Sequence, residues 1–75
     1  MILENISDKP VFLSTHTTEF YFLSNERKHI HRNDVKLYTE NGFTHIGCYA
    51  FAVEINKKRY ETDQKTLVRK VVTLK

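Results

Sequence analysis

The chain has 75 residues, a formal net charge of +3 at pH 7, 40% apolar and 28% charged residues. That is material for one domain, too short for two and too rich in Phe, Tyr, Ile, Leu and Val to stay disordered. Cys48 has no second cysteine to pair with, and no run approaches the roughly 18 apolar residues that a membrane span needs.

A chain of this size buries only roughly 60% of the surface that its unfolded form exposes, so most of the five Phe and four Tyr are needed for the core. "MILENISDKPVF" has no basic segment leading into a long apolar one and does not read as a secretory signal. With a single thiol, the expected setting is a reducing cytoplasm, bacterial or viral-host. The charge is unevenly spread. Residues 1–25 sum to −2 through Glu4, Asp8 and Glu19 against Lys9, whereas residues 56–75 sum to +5. Such asymmetry steers a polyanion or an acidic surface toward one end of a molecule.

In chain order, "MILENI" reads as a strand closed by the turn-forming "SDKP". "VFLST" and "EFYFLS" follow as extended segments, with Phe20 and Phe22 on one face and Tyr21 and Leu23 on the other. "SNER" turns the chain into "KHIHR". There Arg27, His29 and His31 share one face and Lys28, Ile30 and Arg32 the other, which suits an edge strand protected by charge.

"NDVKLYTENGF" has two readings. Asp34 could cap a short helix over 35–41 ended by Gly42, or 35–38 is a strand and Asn41-Gly42 a hairpin turn. The β-rich flanks favour the hairpin. "FTHIGCYAFAVEI" reads as one central strand, apolar on both sides, with Tyr49, Phe51, Val53 and Ile55 opposite Cys48, Ala50 and Ala52, and Gly47 marking a bulge or bend. "NKK" turns it back into "RYET". In "TDQKTLVRKVVTLK", Leu67, Val68, Val71, Val72 and Lys75 recur at helical spacing, and Thr62 or Asp63 would cap the helix. The β-branched Val71, Val72 and Thr73 leave a final strand as the competing reading. The expected fold is therefore α+β, a small antiparallel sheet of about four or five strands with a C-terminal helix, with a small all-β barrel as the alternative.

Chemistry-bearing residues are mostly basic. On the helical reading Lys65, Arg69 and Thr73 form a stripe opposite the apolar face, with Thr66 and Lys70 beside it. Lys57, Lys58 and Arg59 sit just upstream, and Arg27, Lys28 and Arg32 would extend the same phosphate-binding surface. Tyr21, Tyr38 and Tyr60 are the rings best suited to exposure and base stacking. Against this stands the plain alternative that these charges solvate the outside of a small domain.

His29 and His31, two apart on a strand, point the same way, and His45 and Cys48 would complete a His₃Cys set only if Gly47 carried a bulge. No metal-binding knuckle spacing supports such a site, and surface histidines are the simpler reading. Cys48 amid apolar residues reads as a small hydrophobe, Glu54, Glu61 and Asp63 form no paired-carboxylate pattern, and Gly42 and Gly47 build no phosphate cradle. No enzyme activity, metal or cofactor is expected.

The expected function is non-catalytic binding, in which the basic C-terminal surface contacts nucleic acid or a nucleic-acid-binding protein complex. The alternative is a protein-interaction module resembling, in size and character alone, the phage and mobile-element proteins that inhibit a host nuclease or defence complex, such as anti-CRISPR and anti-restriction proteins. An exposed strand would also allow a homodimer. The position of the acids separates the readings. If Glu4, Asp8, Glu19 and Glu26 gather on one face, a basic protein or a nucleic-acid-binding groove is the target; a basic face free of acids points to nucleic acid itself.

Overall fold

The computed structural model of the chain describes residues 1–31, 35–40, 43–47, 50–64 and 66–71, with segments 38–40 and 43–45 described by their backbone. Within them, alternation of side chains sets the pattern: Val11 and Leu13 are fully buried while Phe12 and Ser14, which alternate with them, are only half covered. The strands are β1 (Ile2–Asn5), β2 (Val11–Ser14), β3 (Glu19–Phe22), β4 (Arg27–His29), β5 (Lys36–Glu40), β6 (Phe43–Gly47), β7 (Ala50–Ile55), β8 (Lys58–Thr62) and β9 (Val68–Lys70). They form three antiparallel sheets, ordered β4-β1-β9, β3-β2-β7-β8 and β5-β6.

This corrects the expected α+β class. No helix occurs among the described residues, and Val68–Lys70 is a strand that pairs with β1. The small all-β alternative is the one that fits. Two physical reasons decided against the helix. Val68 and its β-branched followers suit an extended backbone, and β1 offers an open edge whose ladder continues past β9 as Val71 N–H bonds the Ile2 carbonyl at 2.9 Å. Thr62 does accept a nearby N–H through its hydroxyl, but from Gln64, and the result is a turn rather than a helix cap. The helical stripe of Lys65, Arg69 and Thr73 dissolves with the helix. Arg69 and Lys70 are neighbours on a strand and point to opposite faces. Of the residues invoked for that helix, Lys65, Val72, Thr73 and Lys75 lie outside the described residues.

The expected single central strand over 43–55, bulged or bent at Gly47, is instead two strands in different sheets, β6 ending at Gly47 and β7 starting at Ala50. Cys48 and Tyr49 between them lie outside the described residues. The hairpin reading fits better than the helix: β5 and β6 pair antiparallel, but the first strand runs from Lys36 through Glu40, opposite Phe43, rather than ending at residue 38, and Asn41 and Gly42 lie outside the described residues. β4 is an edge strand, as its charge pattern indicated.

The core draws on all three sheets. Leu3 and Val68, then Val11, Leu13, Phe22 and Phe51, then Ile46 pack with Ile30 and Val35 in one cluster. A buried asparagine ties the first two sheets together. Asn5 is 0% exposed, and its amide donates to the carbonyls of Lys9 (2.8 Å), Leu23 (3.1 Å) and Phe22 (3.4 Å). Its Oδ1 accepts the Ser7 N–H at 2.9 Å and the Ser7 hydroxyl at 2.7 Å. One side chain thus closes the β1–β2 turn and pins the end of β3, alongside the Ser7 hydroxyl that also reaches the Lys9 carbonyl and the Glu26 N–H that also reaches the Leu23 carbonyl.

Candidate nucleic-acid interface

Opposite charges close in space pair, and pairing sorts the basic residues into engaged and free. In β4, Arg27 Nε donates to Glu4 Oε2 at 3.1 Å across the β1–β4 ladder, and Lys28 Nζ lies 3.4 Å from Glu26 and 5.8 Å from the centre of the Phe22 ring. Lys9 pairs with its neighbour Asp8 at 3.2 Å. Arg59 lies 2.7 Å from Glu19 and 3.2 Å from the Ser14 hydroxyl, with its guanidinium 4.7 Å from the centre of the Phe12 ring. Glu4, Asp8, Glu19 and Glu26 each lie beside a cation of their own.

Lys57, Lys58, Arg69 and Lys70 have no ion pair among the described residues, and all four are exposed. Lys36, at the start of β5, is equally exposed and has no ion pair among the described residues. The sequence offered no reason to single Lys36 out, since it sits alone in an otherwise mixed segment. Arg32 and Lys65, the remaining basic candidates, lie outside the described residues.

The fold places Lys57 and Lys58 on an arm. Ile55 opposes Lys58 across a two-residue loop, Asn56-Lys57, whose φ angles are 52° and 64°. Both being left-handed marks a type I′ turn, whose twist matches that of the flanking strands. The arm overhangs its sheet. The Glu54 N–H bonds the Pro10 carbonyl at 2.9 Å, and β2 pairs with β7 only as far as Val53. Residues 55–61 are consequently exposed on both faces, Tyr60 at 47%. Val53, Ile55, Lys58 and Tyr60 share one face of the arm, and Glu54, Arg59 and Glu61 the other.

That second face runs onto a layer of polar and aromatic side chains. Tyr21 packs against Phe12 with ring centres 4.8 Å apart and donates its hydroxyl to Glu54 Oε2 at 2.8 Å. The small side chains of Ala50 and Ala52 in β7 leave room for Arg59 to reach across from β8. The Arg59 guanidinium, then the Ser14 hydroxyl, holds the Glu19 carboxyl below the usual carboxylate range. The Leu23 N–H, with smaller help from Lys28, does the same for Glu26, and the bond to Glu54 raises the Tyr21 phenol above 10.0. Of the tyrosines expected at the surface, Tyr21 is spent in this layer, Tyr60 stands free on the arm, and the Tyr38 side chain lies outside the description.

His29 and His31 stand side by side, ring centres 5.3 Å apart, and both are exposed. Cys48 and the His45 side chain lie outside the description. No group of three or more His, Cys, Asp or Glu able to hold a metal occurs among the described residues. Nor do those residues contain a helix long and apolar enough to cross a membrane. Comparison with protein-family models, with curated proteins and with solved structures finds no match to this chain.

Proposed function

We propose that the protein is a non-catalytic binding domain that contacts the phosphates of nucleic acid, alone or within a nucleoprotein complex, through Lys57 and Lys58 at the tip of the β7–β8 arm. Arg69, Lys70 and Lys36 supply further unpaired charge. The observation that carries this reading is the sorting of charges: the N-terminal acids are each matched by a cation, while the hairpin tip and β9 keep theirs. Unpaired lysines can neutralise phosphates without first giving up an internal partner. Contacts of this kind position a protein on nucleic acid without reading its sequence. Arg27, Lys28 and Arg59 would then act mainly in the fold, reaching phosphate only by exchanging a carboxylate for it.

Fluorescence anisotropy with labelled single- and double-stranded DNA and RNA tests the proposal. If the two tip lysines and one of the two β9 cations neutralise about three phosphates, affinity falls about fortyfold between roughly 50 and 200 mM salt. Replacing Lys57 and Lys58 by Gln leaves about one contact and a loss of only about threefold over the same range. No binding to any of the four probes at the lower salt overturns the proposal. A partner among host proteins, as an inhibitor of a nuclease or defence complex would have, is then the reading to pursue.

A further inference from the structure

We propose that the chain associates with a second copy of itself through the free edge of β8, forming an antiparallel β8–β8′ pair centred on Tyr60 that joins two four-stranded sheets into one. β8 ends its sheet, and no described strand pairs with its outer edge. Such an edge is a template for strand addition unless its charges forbid it. Here they select one arrangement.

The backbone limits the choice first. The Glu54 N–H points to the Pro10 carbonyl on the β2 side, so Glu54 and its partner Arg59 are not a hydrogen-bonded pair of the β7–β8 ladder. Lys58, Tyr60 and Thr62 bond inward to β7. Arg59 and Glu61 turn their N–H and C=O groups outward. A symmetric antiparallel partner must oppose outward residues to outward residues. Three registers satisfy this within the strand. One sets Arg59 against Arg59′ and another sets Glu61 against Glu61′, and like charges directly opposite are unfavourable. The third opposes Arg59 to Glu61′ and Glu61 to Arg59′, placing Tyr60 against Tyr60′ at the close, non-hydrogen-bonded position.

The pattern Arg59, Tyr60, Glu61 is thus self-complementary about its centre. The exposed Tyr60 ring, beside the exposed Ile55, supplies apolar area that the isolated chain leaves uncovered. Glu61 has no ion pair among the described residues and is available to a partner. Arg59 serves the partner through its backbone while its guanidinium remains within reach of Glu19.

Sedimentation velocity on the full chain, from about 10 µM to about 1 mM, covers the range in which a small strand-to-strand interface assembles. The expected result is a shift from a one-chain to a two-chain species, with the amides of Arg59 and Glu61 becoming protected from hydrogen exchange as concentration rises. Glu61→Pro removes an outward N–H and leaves the ladder to β7 intact, and Glu61→Lys opposes Arg59 to a cation. Both variants should keep the wild-type circular dichroism and remain single chains throughout. A wild-type chain still monomeric at about 1 mM, or a dimer in which the Arg59 and Glu61 amides stay unprotected, overturns the proposal. A folded Glu61→Pro variant that dimerises like the wild type also overturns it. These measurements contain no nucleic acid, so their outcome is independent of the phosphate-binding reading.

Discussion

Arg59 and Glu19, forty residues apart in sequence, hold each other at 2.7 Å across the outer face of the four-stranded sheet. The same guanidinium lies over Phe12, so β8, β2 and β3 are joined by one side chain. Both partners are partly exposed, and water screens the pair. Arg59→Ala should therefore cost only about 1 kcal/mol, split between the ion pair, the cation–π contact and lost packing of its stem. Arg59→Lys should recover less than half, since a single ammonium cannot serve Glu19, Ser14 and the ring together. Urea denaturation of the two variants checks both values.

Acid should weaken the fold through Glu19 and Glu26. Both carboxyls sit below the ordinary value of 4.5 in the folded chain, Glu19 through Arg59 and Glu26 through the Leu23 N–H. A depressed folded pKa gives stability that is present above 4.5 and is lost as pH falls below it. Thermal melting across the acid range should show that decline, and Glu19→Gln with Glu26→Gln should flatten it. Tyr21 acts in the opposite sense. Its pKa is raised above 10.0, so its contribution is present below that pH and is lost as pH rises through the folded value.

Asn5 should be the most costly polar position to change. Asn5→Ala removes five hydrogen bonds from a fully buried position, those to the carbonyls of Lys9, Phe22 and Leu23 and those from the Ser7 N–H and hydroxyl, which predicts a loss of about 2–4 kcal/mol. In a domain this small that approaches the total stability. Asn5→Asp should be as damaging, because it turns a carboxylate oxygen toward carbonyls that need a donor. Chemical denaturation and amide exchange at Ser7 report both.

Lys57 should separate stability from binding. Its φ of 64° is a left-handed value that disfavours any side chain and favours glycine. Lys57→Gly should stabilise the hairpin by roughly 0.5 kcal/mol, relief of the backbone outweighing the extra entropy of glycine in the unfolded chain. It should also weaken nucleic-acid binding by removing a phosphate contact. A melting temperature that rises while anisotropy titrations weaken is the expected pair of results.

Local signals carried much of the architecture. The period-two pattern of Phe20 and Phe22 against Tyr21 and Leu23, the charged edge at 27–29 and the pairing of β5 with β6 were all readable, because each rests on neighbours within a few residues. The C-terminal strand was misread because Leu67, Val68, Val71 and Val72 satisfy a helical stripe by spacing alone. What settles the matter is the vacant edge of β1, far away in sequence. Similarly, nothing local told that residues 43–55 divide between two sheets. The basic candidates were visible as a list, but their sorting into paired and free was not. Arg59 meets Glu19, and Arg27 meets Glu4, only once the sheets have formed.

The placement of β1 has a consequence for how the molecule comes together. It is the middle strand of its sheet, with Leu3 opposite Lys28 on one side and Lys70 on the other, and the Ile6 N–H bonds the Leu67 carbonyl at 2.8 Å. An early segment therefore remains half-paired until the latest described strand arrives. Closing so long a loop before the contact rewards it makes folding slow, on the order of milliseconds to seconds for sheet proteins of this kind. The β2–β3 and β7–β8 hairpins form from neighbours and need not wait. While they do form, β1 is the strand whose backbone stays open to the wrong partner, and the emerging chain is most exposed to misassembly there.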